Sequence, residues 1–226
     1  MTCRQFAADY GRTIAALQSN PALRASDSWP YGRTPARRPP DPLELEMVRA
    51  RRARTFPFDD FLYCGFGYPN GRLSAVLYRP DRITFVRLAD AQSALISYEF
   101  SGCYLAKFRF RTAWYGAHIA TAEAAAHDRK TLWMDFLHTY ASDISALAMI
   151  RPSAERALFE ETYRLRRLRR RVTLAGLFDG AHRGYSIVYD FERCAVADDA
   201  DNNIRVAHKE LLAHPADRTT YLLKTI

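Results

Sequence analysis

The sequence predicts an α+β domain: a central antiparallel β-sheet with helices inserted between its later strands. Three observations carry that reading. From about Phe56 to Thr121 the chain runs through short apolar, aromatic stretches separated by turn signals. After Ala124 the apolar spacing changes to steps of three and four, the mark of an amphipathic helix. Beyond a second such stretch, strand-like segments return, and strands followed by helices on one sheet make a layered α+β domain.

Taken in order, residues 4–18 place Phe6, Tyr10, Ile14 and Leu17 at helical spacing. The stretch 26–44 holds five prolines and reads as a linker or an extended arm. Its continuation LELEMVRARRAR suits one or two helical turns. Residues 1–45 are therefore expected to be a peripheral helix and Pro/Arg-rich arm, and 46–226 a single α+β domain.

FLYCGFGY and RLSAVLYRP read as strands joined at Pro69-Asn70-Gly71, a strong turn signal. RITFVRLA (82–89) and ALISYEF (94–100) follow. In KFRFRT, Phe108 and Phe110 fall on one side and Lys107, Arg109 and Arg111 on the other, as in a half-buried antiparallel strand. A turn around Thr112 and Ala113 and a return strand from 114 complete a hairpin.

Residues 128–149 predict one helix of about six turns through Trp133, Leu137, Tyr140, Ile144 and Leu147. A second helix starts at Ser153 as N-cap, with Glu155 in its first turn. Its apolar stripe is Leu158, Leu165, Leu168 and Val172. GYSIVYDFERCAVA (184–197) is a further strand, 198–203 a loop, and TTYLLKTI a final strand.

The 226 residues are 48% hydrophobic and 13% aromatic, which supplies a core and excludes a disordered chain. No apolar run approaches the roughly 20 residues that span a bilayer, and the start has no signal-peptide pattern. Cys3, Cys64, Cys103 and Cys194 lie far apart, so neither a zinc ribbon nor a dense disulfide scaffold is expected. The net charge of +8, carried mainly by arginine, favours acidic partners. The run Arg164–Arg171 is one candidate surface for them. It has no interleaved aromatic recognition motif, which argues against nucleic acid.

The chemistry-bearing stretch is SYEFSGCYLAKFRFRTAWYGAHIAT, 97–121. A thiol becomes a nucleophile when an imidazole lowers its pKa and moves its proton. The hairpin count returns His118 beside the start of the strand that follows Cys103. Gly102 permits a tight turn, and backbone N–H groups there, with Ser101, form a candidate oxyanion-binding loop. The second imidazole nitrogen needs an acceptor, for which Ser97, a strand carbonyl and Asp190 are candidates.

Ser101-Gly102-Cys103 with His118 fifteen residues on and a hydroxyl residue, Ser97, six before resembles the catalytic stretch of the cytotoxic necrotizing factor and Burkholderia lethal factor-like glutamine deamidases. The resemblance covers about 97–121. It implies a β-sandwich flanked by helices, with Cys103 as nucleophile, His118 as base and Ser97 as the orienting group. It further implies a toxin-like effector, secreted without a classical signal peptide and acting in the cytoplasm of a target cell. There it would hydrolyse the side-chain amide of a glutamine or asparagine in a host or competitor protein. The acyl-transfer chemistry that the resemblance implies requires no metal or organic cofactor. Two other readings stand beside it: a cysteine protease with the same dyad, and a basic binding protein without catalysis.

Overall fold

The computed structural model describes residues 40–53, 60–67, 73–120, 129–154, 156–169, 172–190, 195–196 and 204–207. The expected helix at 4–18, the Pro69–Gly71 turn, Glu155, Arg170, Arg171, the 198–203 loop and the final strand lie outside these residues.

Two sheets form the frame. The first has the strand order β1 (Phe61–Tyr63), β4 (Ile83–Arg87), β7 (Ala113–Ile119), β6 (Tyr104–Phe110), β8 (Ile144–Ile150). The second runs β11 (Ala195–Val196), β10 (Gly184–Asp190), β9 (Val172–Phe178), β5 (Ala94–Ser97), β3 (Leu73–Val76), β2 (Gly65–Gly67), with β12 (Ile204–Ala207) also paired to β10. Both sheets are mixed: β1 runs parallel to β4 and β3 parallel to β5. The antiparallel expectation holds for the remaining pairings. Cys64, fully buried, sits where the chain leaves the first sheet for the second.

The two sheets stack. Val86, Leu105, Ala148 and Ile150 of the first meet Val76, Leu95, Leu174 and Phe178 of the second in one buried cluster. Gly116 lets Leu95 of the second sheet pack directly on its backbone, since a Cβ there would lie 2.3 Å from Leu95 Cδ1. On the outer face of the first sheet, α1 (Pro42–Arg52) and α2 (Arg129–Thr139) bury Leu43, Met47, Trp133 and Phe136 against Phe85, Phe108, Phe110 and Tyr115. Helix α3 (Arg156–Arg167) packs against β9 and β10.

Several elements depart from expectation. Helix α1 starts inside the Pro-rich stretch and crosses the expected boundary at 45, with Leu43 in the core. Asp41 accepts from the Leu43 amide at 2.8 Å, and Glu44 accepts from the Asp41 amide at 3.0 Å. That reciprocal cap, with Pro42 at the first helical position, fixes the start. The expected six-turn helix stops at Thr139; a turn follows, and Ile144–Ile150 is strand β8. ISALAMI is buried on both faces, so its apolar run carries no period that separates strand from helix. Ser153 is not an N-cap: it lies in a short 3-10 turn and its Oγ makes no hydrogen bond. Val172 opens strand β9 instead of closing the helix, and Leu168 is exposed.

The hairpin closes through a two-residue turn, Arg111 and Thr112, with Phe110 paired to Ala113. Strand β6 is not half-buried at Lys107. The second sheet covers that face, and the fully buried ammonium donates to the carbonyls of Ala91 (2.8 Å), Ser93 (2.8 Å) and Asp179 (3.2 Å).

Candidate active site

Ser97 ends β5 in the second sheet, while Cys103 precedes β6 and His118 lies near the end of β7, both in the first. Leu105 is paired with His118, so their side chains share a face. Cys103, two residues before Leu105, falls on that face by alternation. It joins Phe100, Leu105 and Ala120 in the inter-sheet cluster. The sulfur and the imidazole therefore face the same interior layer, diagonal to one another across the hairpin.

The hydrogen bonds around Ser97 assign the imidazole's tautomer. Ser97 Oγ lies 2.7 Å from the Val76 carbonyl oxygen and 2.8 Å from His118 Nδ1. A carbonyl can only accept, so the single hydroxyl proton goes to Val76. The oxygen must then accept from Nδ1–H. The neutral imidazole that results carries its lone pair on Nε2, which is buried and makes no hydrogen bond. Of the three candidate acceptors for the second nitrogen, Ser97 holds the position. Asp190 sits at the far end of β10, paired with Val172.

Aromatic rings close over the pair. Phe100 stacks on the imidazole with centroids 4.4 Å apart and planes 12° apart, and Tyr78 lies against it at 5.1 Å. His118 is fully buried and Cys103 is 2% exposed. Burial lowers the His118 pKa to about 3, so the ring is uncharged at neutral pH. The Tyr78 phenol is pushed up, first by burial and then by the nearby charges of Cys103, Asp81 and Glu99.

Phe100 is held from both sides. Its amide donates to the Leu174 carbonyl at 3.2 Å. Beneath its ring, Gly176 leaves the space, for a Cβ there would approach Phe100 Cε2 to 3.2 Å and Pro152 Cγ to 2.8 Å. The preceding residue, Glu99, has a φ of 65°, a left-handed conformation uncommon for a residue with a side chain. Its amide donates to Thr173 Oγ1 at 3.1 Å, and its carboxylate meets Arg166 of α3 at 3.2 Å.

Ser101 is exposed and Gly102 half-buried. Ser101, Phe100, Glu99 and Tyr78 line a cavity of about 260 Å³, whose opposite wall is Phe159, Thr162, Tyr163 and Arg166 of α3. The described part of the Arg164–Arg171 run is exposed except for Leu165, and Arg167 lies over the Tyr163 ring at 4.8 Å. Sequence reasoning identified Ser97, Cys103 and His118, and Arg166 only as part of the Arg164–Arg171 run; it missed Tyr78, Glu99 and Phe100. A signal for two of them was present: Glu99-Phe100 directly precedes Ser101-Gly102-Cys103, and an aromatic there has a nearby imidazole to cover.

Among the described residues no group of three or more His, Cys, Asp or Glu side chains is placed to hold a metal ion, and no helix is long and apolar enough to cross a membrane. No protein-family model, curated protein or solved structure matches the chain.

Proposed function

We propose that the protein is a cysteine-dependent amidase that deamidates a side-chain carboxamide of a target protein, an effector-like glutamine deamidase. One observation carries the reading. The Ser97 hydroxyl, fixed by the Val76 carbonyl, holds His118 in the tautomer whose unpartnered Nε2 shares the inter-sheet face of Cys103.

In that role Nε2 takes the Cys103 proton and the sulfur attacks the carboxamide carbon. In this reading the amide hydrogens of the Ser101–Cys103 turn hold the oxyanion. As the C–N bond breaks, the imidazolium gives its proton to the departing nitrogen and ammonia leaves. Water then attacks the thioester, His118 accepts its proton, and cleavage of the C–S bond restores the thiol. The balance is carboxamide plus water to carboxylic acid plus ammonia.

Intact-mass analysis of candidate target proteins is the test. Each event raises target mass by about one dalton, as amide-to-acid chemistry requires. The shift is expected with the wild type and absent with Cys103→Ala of unchanged circular dichroism. Fragments instead of a mass shift would indicate peptide-bond cleavage by the same pair. The closed, nearly solvent-free thiol favours one further reading, a basic binding domain without catalysis. That reading holds if target binding falls steeply with salt and is indifferent to Cys103→Ala.

A further inference from the structure

The groove beside the candidate site is walled by unlike surfaces. One side is the turn that leads into Cys103, with Glu99 and Phe100; the other is α3, with Tyr163 and Arg166. Helix α3 exposes Arg164, Arg166 and Arg167, and Arg169 is exposed just beyond its end, on a chain of net charge +8. Glu160, on the same helix, is engaged by Arg156 at 2.7 Å. Glu99 is the acid that faces Arg166 across the groove. It sits in a left-handed backbone conformation, one residue before the ring that covers His118 and four before Cys103. The ion pair thus ties this turn to α3, with Arg166 46% exposed and within reach of a competing carboxylate.

We propose that this groove receives an acidic segment of the target protein, whose carboxylate replaces Glu99 on Arg166 and so releases the Glu99–Gly102 turn that covers Cys103 and His118. The segment is acidic because Arg166 is the charged residue of the α3 wall that it meets, beside the rings of Phe159 and Tyr163. That the segment belongs to a substrate rests on the deamidase reading. The latch itself does not, and its test reads thiol reactivity without turnover.

The full chain is pulsed with iodoacetamide, and modification of Cys103 is measured by peptide mass spectrometry, with buried Cys64 as the internal reference for general opening. An exposed ion pair shifts a closed-to-open ratio by up to about fivefold. Glu99→Gln is therefore expected to raise the Cys103 rate by up to about fivefold relative to Cys64. Glu99→Gly removes the carboxylate and relieves the left-handed backbone together, so its gain is expected to be smaller than that of Glu99→Gln. Hexaglutamate peptide is expected to accelerate Cys103 modification in the wild type but not in Arg166→Gln, and hexalysine in neither. Unchanged Cys103 rates in both Glu99 variants overturn the latch. Acceleration by hexaglutamate that persists in Arg166→Gln, or that hexalysine reproduces, overturns the acidic occupant. A chain that passes these tests but shifts no target's mass loses the deamidase reading alone. One that deamidates a target while its Cys103 ignores Glu99 and hexaglutamate loses the latch alone.

Discussion

Ser97 has one hydroxyl proton and two buried neighbours, and the way it serves both decides what His118 can do. Ser97→Ala leaves the Val76 carbonyl and the Nδ1–H without partners. A loss of about 1–3 kcal/mol in urea unfolding is expected from the unmet buried polar group. Amidase activity should fall as well, because the ring is then free to take the other tautomer. His118→Asn keeps a donor near Ser97 but no base, and should lower turnover about 10²–10⁴-fold while the chain still folds. The imidazole also links stability to pH. Its folded pKa is about 3 against an ordinary 6.5. Between those values the unfolded chain binds the proton that the folded chain refuses. Stability therefore rises with pH through that window and declines as the pH drops from about 6.5 towards 3. Chemical denaturation at pH 7 and at pH 4.5 should show a smaller decline in His118→Asn than in the wild type. An equal decline would place the acid sensitivity elsewhere.

At the scale of elements, spacing between layers is the controlling variable. The Leu95 side chain fills the place where a Gly116 side chain would stand. Gly116→Ala forces the sheets apart or pushes Leu95 off its rotamer, and a loss of about 1–3 kcal/mol is expected, read as a lower melting temperature. Lys107 ties the β4–β5 connection and the turn after β9 to β6 through the three carbonyls it reaches. Lys107→Met fills similar volume but strands those acceptors, and each buried acceptor left unmet costs about 1–3 kcal/mol. The strands that carry the site were legible because their residues alternate or are bounded by turns: the return strand of the hairpin was expected from 114 and begins at Ala113. The start of α1 was missed: its capping sequence, Asp41-Pro42-Leu43-Glu44, lies within the run of prolines that was read as an arm. Strand β8 was not legible, because a segment buried on both sides loses its period. Strand β9 was hidden by the leucine and arginine run that leads into it.

For the whole molecule, the α+β class followed from the order of periodicities. The stacking of two mixed sheets did not, because parallel pairs such as β3 and β5 are joined by excursions whose path local sequence does not encode. The candidate trio shows the same division. Cys103 and His118 were found by counting along one hairpin. The pairing with Ser97 rests on contact between layers 21 residues apart in sequence. Glu99 and Arg166, 67 residues apart, left no mark that counting could detect. The thiol and the imidazole come from one layer and the hydroxyl from the other, so the candidate arrangement exists nowhere in the unassembled chain. A titration with urea, followed at once by near-ultraviolet circular dichroism and by residual amide hydrolysis, should give two superimposed curves. Hydrolysis that outlasts the optical transition would mean that the hairpin works without its counterpart. If the curves coincide, the chemistry disappears together with the packing of one layer on the other, and a chain threaded unfolded through a narrow conduit would be inert in transit.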